Sequence, residues 1–304
     1  MGQPIAIEPD DRPDLAEVIS EAGATPTRMS PEVRGLVWTD YWHPEGLTTI
    51  LDQNPQLEWV QLPFAGVDPF VPMFRFPVRF TSCKGSFREP VAEHALTLCL
   101  ALGRAIPKRV RAKAWGDKFA VTLFDADVLI VGAGGITEEL ISLLKPFRSR
   151  ITVARNRAEQ PMPGAAKTIG LSSLAAAVST ADFVILACAL TPETHHLFDE
   201  AMFQHFKPAA YLVNVARGPI IDTDALLTAL DSGLLAGAAA DVTEPEPLPE
   251  GHPAWNQPNL IITPHTADTP DVVAKLFAER LAANIGAFLG SGEWVGQVDP
   301  TLGY

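Results

Sequence analysis

The chain has 304 residues, of which 47% are hydrophobic and 19% are charged. At about 150 residues per domain this length predicts two domains, and the composition excludes a disordered chain. Lys and Arg number 23 against 36 Asp and Glu, so the formal net charge is −13. This acidic balance argues against a protein that binds nucleic acid or an anionic membrane through a basic surface.

Three cysteines, Cys83, Cys99 and Cys188, are odd in number and widely spaced. They form neither a disulfide framework nor a pair of zinc ligands, so we expect reduced thiols. The first ten residues lack the basic start and apolar run of a secretory signal, and the best apolar run, residues 95–102, is too short to span a bilayer. The sequence therefore predicts a cytoplasmic protein without a membrane partner.

Short apolar runs predict strands, and most runs are continuous, as expected of strands covered on both faces. Between them, apolar residues recur at helical spacing, as in Ile136, Leu140, Leu143, Leu144 and Phe147. This alternation predicts an α/β fold in which crossover helices connect parallel strands. The predicted strands cover residues 35–39, 57–62, 128–131, 151–153, 183–187, 211–215 and 260–263.

Two long helices are predicted outside the alternating region. Residues 90–103 form an apolar helix with Pro90 in its first turn, and residues 270–290 form a second helix with Thr269 as its N-cap. The basic stretch that follows the first helix, residues 104–118, is either a connecting arm at an interface or a solvated surface segment.

A glycine turn lies between a predicted strand and a predicted helix, at Gly132, Gly134, Gly135 and Ile136. This is the context of a dinucleotide-binding turn, in which the first glycine allows the turn and the second lets the backbone approach the pyrophosphate. Thr137 stands where the pattern has its third glycine, and we expect its side chain to push the helix slightly away from the strand.

The next predicted strand ends in Arg155 and Arg157, where an NAD-binding protein has a carboxylate for the ribose hydroxyls. An arginine pair favours the 2′-phosphate of NADP(H), which a carboxylate would repel. The alternative interpretation is two exposed arginines on a loop.

Motifs in both halves of the chain resemble the D-isomer-specific 2-hydroxyacid dehydrogenase family, over nearly the whole length. Ala65-Gly66-Val67-Asp68 and Pro90-Val91-Ala92-Glu93-His94 match in the first half, and Val298-Asp299-Pro300 with Gly303-Tyr304 match at the end. The second half matches at Thr191-Pro192-Glu193-Thr194, Asn214-Val215-Ala216-Arg217-Gly218 with Asp222, Gly237-Ala238-Ala239-Ala240-Asp241-Val242, Glu244-Pro245-Glu246-Pro247-Leu248-Pro249 and Thr263-Pro264-His265.

The resemblance implies two doubly wound, Rossmann-like domains with the active site in the cleft between them, and a homodimer. The substrate domain would comprise residues 1–95 with 275–304, and the dinucleotide-binding domain residues 96–274. In character the chain is closest to the NADPH-dependent glyoxylate/hydroxypyruvate reductases of the family.

The resemblance also implies a catalytic trio. Arg217 would bind the substrate carboxylate and keto oxygen, His265 would be the general acid/base, and Glu246 its partner. The trio is chemically coherent, because a guanidinium can clamp a carboxylate and an imidazole backed by a carboxylate can supply a proton near neutral pH.

Further site residues follow from the same resemblance. The backbone at Ala65, Gly66 and Val67 would hold the substrate carboxylate, together with Arg217 and His265. Besides the glycine turn and the two arginines, the residues expected to contact the cofactor are Thr194, Val215, Ala216 and Asp241.

The other histidines are assigned no part in the reaction. His94 is expected to be structural, and His195 with His196 lies in a predicted loop where the sequence places no third ligand, so no metal site is predicted. Asp268 stands where the family commonly has a small residue, and it could disturb the nicotinamide side of the pocket.

The sequence thus predicts an oxidoreductase that transfers a hydride between NADP(H) and a small 2-oxo acid or D-2-hydroxy acid such as glyoxylate or hydroxypyruvate. Two alternatives remain open. One is an NAD-dependent enzyme of the phosphoglycerate dehydrogenase type, and the other is a dinucleotide-sensing binding protein on the same scaffold.

Overall fold

The computed structural model describes residues 2–300. Gly303 and Tyr304 of the closing motif lie outside the described residues. The strands are β1 (Pro4–Glu8), β2 (Thr25–Thr27), β3 (Gly35–Trp38), β4 (Trp59–Gln61), β5 (Arg79–Thr81), β6 (Asp127–Val131), β7 (Arg150–Ala154), β8 (Lys167–Ile169), β9 (Phe183–Leu186), β10 (Tyr211–Asn214), β11 (Gly237–Ala240) and β12 (Leu260–Ile262).

The α-helices are α1 (Pro13–Glu21), α2 (Pro44–Gln53), α3 (Arg88–Gly103), α4 (Ile106–Arg111), α5 (Gly135–Leu144), α6 (Leu174–Val178), α7 (Glu200–Phe203), α8 (Thr223–Asp231) and α9 (Pro270–Phe288). Short 3-10 helices lie at Asp68–Arg75, Lys145–Phe147, Leu171–Ser173, Gly218–Ile220 and Pro253–Asn256. In the part of the chain that the structure describes, no helix is long and apolar enough to cross a membrane.

Contacts divide the chain into two compact units. The first unit comprises the chain up to Phe87 and again from Pro270 onward, and the second comprises Arg88–Thr269. The sequence analysis set the borders after residues 95 and 274 instead. The structure keeps α3 whole within the second unit, where it packs against α5, β10 and β11, and it keeps α9 whole within the first unit, where it packs against α1.

The first unit contains a five-stranded sheet in the order β2-β1-β3-β4-β5, and all of its strands are parallel. The order in which strands are added to the sheet reverses between β1 and β3. Alternate residues of each strand point to opposite faces, so the sheet has a core on either side. One core contains Ile5, Val37, Trp59, Leu281 and Ile285, and the other contains Ala6, Leu36, Val60, Leu47 and Leu51.

The second unit contains a parallel seven-stranded sheet in the order β12-β11-β10-β9-β6-β7-β8. The strand order reverses between β6 and β9, which is the place where open sheets of this kind bind ligands at the carboxyl ends of their strands. All residues of β9, β10 and β11 are buried, because helices cover both faces of the sheet.

The predicted fold class, two doubly wound α/β domains with parallel sheets, is confirmed for each unit. Every strand predicted from an apolar run is present, but β1, β2, β5, β8 and β11 were not predicted. In residues 104–118 the structure shows the short helix α4, followed by an irregular segment that exposes Trp115 almost completely.

Candidate active site

The glycine turn lies at the point where the strand order of the second unit reverses. Gly132 follows β6 directly and has φ +116. A Cβ at this position would lie 2.3 Å from the carbonyl oxygen of Ala187, which follows β9. Only glycine combines this backbone conformation with so close an approach, so Gly132 allows the turn that the sequence predicted.

Thr137 fits the turn instead of disturbing it. Its side chain is fully buried, and its hydroxyl donates a 3.0 Å hydrogen bond to the carbonyl oxygen of Gly132. The hydroxyl therefore ties the first turn of α5 to the glycine turn, and the expected displacement of the helix is replaced by a specific contact.

The start of α5 offers a site for a phosphate. Gly134 is the N-cap residue, and no side chain among residues 2–300 caps the helix. A Cβ on Gly134 would have no atom within 4 Å, so the space beside this backbone is open. The first backbone N–H groups of the helix, at Gly135 and Ile136, suit an anion because they have no partner within a helix and carry its positive dipole end.

Arg155 and Arg157 follow β7, the neighbour of β6 in the sheet. The backbone N–H of Gly132 donates to the carbonyl oxygen of Ala154 at 2.8 Å. Arg155 is the residue after Ala154, so its backbone lies beside the glycine turn. The Arg155 guanidinium donates to the main-chain oxygen and the side-chain oxygen of Gln160 at 3.2 and 3.3 Å. Within residues 2–300 neither arginine forms an ion pair with a carboxylate. Open glycine backbone and a helix N-terminus fit the pyrophosphate of a dinucleotide, and the two cations follow the neighbouring strand.

Arg217 is held by a turn that follows β10. The side chain of Asn214, which is buried, donates from Nδ2 to the carbonyl oxygen of Arg217 at 2.9 Å and accepts at Oδ1 from the N–H of Ala216 at 3.0 Å. Val215 and Ala216 are buried within this turn. The Arg217 guanidinium donates from Nη1 to the carbonyl oxygen of Ala216 at 2.7 Å. Asn214 was part of the matching motif, but the sequence analysis gave it no function.

Gly218 brings the Arg217 turn against the loop that carries Glu246. A Cβ on Gly218 would lie 1.9 Å from the carbonyl oxygen of Thr243, so any other residue would force the two segments apart. The N–H of Thr243 in turn donates to Oε2 of Glu246 at 3.3 Å. The motif glycine after Arg217 therefore has a steric reason that the sequence analysis did not identify.

His265 is bonded directly to Glu246. Its Nδ1 lies 2.6 Å from Oε1 of Glu246, and its backbone adopts a left-handed conformation with φ +53. The backbone N–H of His265 donates to the carbonyl oxygens of Asp241 and Thr263, at 2.7 and 3.0 Å. Because Nδ1 is engaged by the carboxylate, Nε2 is the ring atom that can exchange a proton with a substrate.

The electrostatics of the trio favour an ion pair between Glu246 and His265. Burial alone would raise the pKa of Glu246, but the hydrogen bond from His265 and the nearby positive charges bring it below the ordinary value. The hydrogen bond to Glu246 raises the pKa of His265 in spite of burial. Arg217 acts on both groups, since its charge lowers the pKa of each. The structure thus brings the three predicted catalytic residues within electrostatic reach of one another.

Asp241 holds the loop on which His265 lies. It is 2% exposed, and its carboxylate accepts hydrogen bonds from the Thr263 hydroxyl at 2.5 Å and from the N–H groups of Thr266 and Ala267 at 3.0 and 3.1 Å. His94 contacts the same group, with Nε2 3.3 Å from Oδ1 of Asp241 and 3.0 Å from the Thr263 hydroxyl. Burial would raise the pKa of Asp241, yet these bonds lower it.

This arrangement gives Asp241 and His94 structural functions beside the site. The sequence analysis expected Asp241 to contact the cofactor, which stays a prediction, and did not anticipate its bonds to the loop. The signal was present in the motif order, because Asp241 and Thr263 each follow one of two adjacent strands, β11 and β12.

The other predicted site residues lie in defined places. Thr194 is buried in the loop after β9, where its hydroxyl accepts from the N–H of Thr191 at 2.7 Å and donates to the carbonyl oxygen of Ala189 at 2.8 Å. Ala65, Gly66 and Val67 lie in the first unit, between β4 and a 3-10 helix. Asp268 is exposed just before α9. The binding functions expected of these residues stay predictions.

The sequence of the second unit matches the family model described as "D-isomer specific 2-hydroxyacid dehydrogenase, NAD binding domain" over residues 96–267. The chain belongs to the D-isomer-specific 2-hydroxyacid dehydrogenase family. The resemblance identified from the motifs is thereby confirmed, and the protein is an oxidoreductase that acts on CH–OH groups and uses a nicotinamide cofactor.

Relatives and solved structures agree with this membership. An uncharacterised protein in the proB 3′ region of Corynebacterium melassecola is 36% identical over 83% of this chain and 86% of its own length. A glyoxylate reductase of Thermofilum pendens is 31% identical over 83% and 76%. A D-isomer-specific 2-hydroxyacid dehydrogenase of Xanthobacter autotrophicus, solved with NADPH and MES, is 26% identical, with a TM-score of 0.87 over 100% of both chains.

Replacing Asp241 with asparagine should destabilise this dehydrogenase by about 1–3 kcal/mol at neutral pH, because a buried acceptor of several hydrogen bonds becomes partly a donor. The pKa of Asp241 is lowered in the folded state, so the stabilisation is complete above the ordinary pKa of an aspartate and is lost as the pH falls through the folded-state value. Chemical denaturation across a pH series measures both effects.

The matched control is Asp224→Asn, at an exposed position in the first turn of α8. It should cost no more than a few tenths of a kcal/mol. Equal losses in the two variants would contradict the assigned function of Asp241.

Replacing Glu246 with glutamine should lower the pKa of His265, because the variant loses the charge that raises it while Arg217 continues to lower it. The ion pair is complete between the ordinary pKa values of the two groups. It is lost as the pH rises through the raised pKa of His265, or falls through the lowered pKa of Glu246. NMR titration of isotope-labelled histidine measures the shift.

Glu250→Gln, at an exposed position in the same loop, is the control and should leave the titration of His265 unchanged. A pKa of His265 that is the same in the Glu246 variant and in the unmodified protein would disprove the pairing.

Proposed function

We propose that this dehydrogenase reduces a small 2-oxo acid of the glyoxylate or hydroxypyruvate type with NADPH. The observation that carries the proposal is the 2.6 Å hydrogen bond between His265 and Glu246, with Arg217 close enough to influence both pKa values. A cation for an anionic substrate and a proton donor beside it are the two groups that reduction of a 2-oxo acid requires.

Arg217 binds and polarises the substrate. Its planar guanidinium can bond to the carboxylate and to the keto oxygen of a 2-oxo acid, which orients the substrate and draws electron density away from C2. The backbone amides at Ala65, Gly66 and Val67 are proposed to bond to the same carboxylate. The nicotinamide cofactor, when bound, supplies the hydride that reaches C2.

His265 supplies the proton for the oxygen that becomes the hydroxyl group. The raised pKa of His265 keeps a larger fraction of imidazolium at neutral pH, which is the form that reduction consumes. Glu246 fixes the orientation of the ring through Nδ1 and leaves Nε2 to face the substrate. In the reverse direction neutral His265 accepts the proton, so oxidation is favoured at higher pH.

The preference for NADPH over NADH is supported by charge. Arg155 follows the strand beside the glycine turn, and no carboxylate of the described residues pairs with it or with Arg157. The Xanthobacter structure, which contains NADPH, points the same way. The Thermofilum relative is named as a glyoxylate reductase, which supports the proposed substrate class.

A homodimer in the cytoplasm completes the proposal. The segment after α3 exposes Ile106, Val110 and Trp115 beside several basic residues. Exposed apolar side chains on one short stretch favour the interpretation of this segment as an arm at an interface over that of a solvated surface.

Replacing His265 with alanine should lower the rate of 2-oxo acid reduction by about a hundredfold or more, because the proton donor is lost. NADPH binding should remain largely intact, which fluorescence titration of the reduced cofactor checks. Glyoxylate, hydroxypyruvate, pyruvate and a branched 2-oxo acid are compared through the absorbance of NADPH. His205→Ala, at an exposed position, is the control.

Normal turnover of the His265 variant would rule out His265 as the acid. If the unmodified protein bound NADPH but reduced none of these acids, the alternative of a dinucleotide-sensing protein would gain support.

Replacing Arg155 and Arg157 together with serine should raise the KM for NADPH roughly tenfold to a hundredfold and leave the KM for NADH nearly unchanged, because a charge-assisted contact to the 2′-phosphate is lost. Steady-state kinetics with both cofactors measures the change. Arg148→Ser is the control, since Arg148 pairs with Asp125 at 2.9 Å. A preference of the unmodified protein for NADH would refute the arginine clamp and favour the NAD-dependent alternative.

A further inference from the structure

A second cluster of titratable side chains lies outside the catalytic trio. His195, His196 and Glu244 each offer a ligand atom, and these atoms all lie within 4.8 Å of one another. His195 and His196 belong to the loop after β9, and Glu244 to the loop after β11. The sequence analysis expected no metal here because it found no third ligand beside the histidine pair, and the fold supplies one in Glu244.

The contacts within the cluster are close. Nε2 of His196 lies 2.7 Å from Oε2 of Glu244, and the rings of His195 and His196 stack with their centroids 4.1 Å apart. The hydrogen bond to Glu244 explains the position of the imidazole ring of His196. It gives no reason for a second imidazole to lie directly against the first, at an exposed position where the ring could turn to water.

The backbone explains how neighbouring residues come to share one side. Successive side chains of an extended segment point in opposite directions. His196 has φ +48, a left-handed conformation that costs free energy for any residue other than glycine. The stacking of the two rings shows that both side chains lie on one side of the segment. His196, the residue with the strained backbone, is one of the three candidate ligands.

Both loops are anchored to their surroundings. The N–H of His196 donates to the carbonyl oxygen of Pro219 at 2.8 Å, and that of His195 to the carbonyl oxygen of Thr191 at 2.9 Å. The carbonyl oxygen of Glu244 accepts from the Thr223 hydroxyl at 2.7 Å. The three side chains therefore project from anchored backbone, and their ligand atoms lie within 4.8 Å of one another.

We propose that His195, His196 and Glu244 bind one divalent transition-metal ion of the Zn²⁺ class. Two imidazole nitrogens and one carboxylate are a common set of three protein ligands for zinc, with water in the remaining position. A half-exposed site leaves room for that water, and the side chains of His196 and Glu244 are 37% and 35% exposed. Mg²⁺ and Ca²⁺ do not fit this set of ligands, because they take oxygen ligands almost exclusively.

The metal site is separate from the reaction proposed above and does not depend on it. Glu244 pairs with His196, whereas Glu246, two residues further along, pairs with His265. Binding of an ion at Glu244 would fix the loop that contains both glutamates, so we expect it to stabilise the folded protein, as any ligand specific for the native state does.

The test uses the full chain without an affinity tag, stripped of metal with a chelator and then titrated with ZnCl₂ by calorimetry. We expect one ion per chain. His196→Ala and Glu244→Gln should each weaken binding roughly tenfold or more. His205→Ala, at an exposed histidine outside the cluster, should bind like the unmodified protein. Thermal unfolding of each metal-free variant shows whether it has folded.

Co²⁺ provides a second readout, since its visible absorption bands report on the ligands. These bands should change when His195 is replaced with glutamine at its exposed position. The proposal is overturned if Zn²⁺ does not bind, if it binds all the folded variants equally, or if binding is lost in His265→Ala but kept in His196→Ala. The last result would assign the ion to the catalytic trio.

Discussion

The buried carboxylate of Asp241 is the contact on which the geometry of the active site depends. The carboxylate lies just past β11, where it accepts hydrogen bonds from the Thr263 hydroxyl and from two backbone N–H groups beyond His265. The backbone carbonyl oxygen of Asp241 accepts from the N–H of His265. A charged acceptor removed from water must be satisfied by such donors, so the loop has little freedom to adopt another conformation. The left-handed backbone of His265 is therefore fixed from both sides, and its ring is presented to Glu246.

Backbone packing brings the other two members of the trio to the same place. In a parallel sheet all strands end at one edge, and β10, β11 and β12 are consecutive neighbours there. The turn with Arg217 and the loop with Glu246 can touch because Gly218 has no side chain. The glycine turn after β6 and the two arginines after β7 lie at the same edge of the same sheet. The topology thus places the groups expected to bind the cofactor and the groups expected to act on the substrate on one side of the second unit.

Much of this could be predicted from the sequence, and the remainder has physical causes. Continuous apolar runs predicted the central strands. The family resemblance grouped Arg217, Glu246 and His265, and the structure brings them near one another, while their catalytic function stays a prediction. The strand β11 was missed because its residues, Gly-Ala-Ala-Ala, carry no β-branched or aromatic signal, although all of them are buried. The hydrogen bond of Thr137, the pairing of Glu244 with His196 and the contacts of Asp241 join residues that are distant in sequence or depend on side-chain orientation. Local patterns contain no information about such contacts.

The balance of charges around His265 explains why the trio needs its carboxylate. The protein has a formal net charge of −13, so the anionic substrate proposed above would need a local cation, and Arg217 supplies a positive charge at the trio. The same charge lowers the pKa of His265 and therefore opposes the protonation that reduction requires. Glu246 outweighs this effect of Arg217, because its hydrogen bond is the largest influence on the pKa of His265 and the net shift of that pKa is upward. In the proposed reaction, Arg217 without Glu246 would bind the 2-oxo acid but would lower the pKa of His265, and so the fraction of imidazolium that can donate a proton. Glu246 raises this pKa, so that a substrate-binding cation and a protonated histidine can be present in one site.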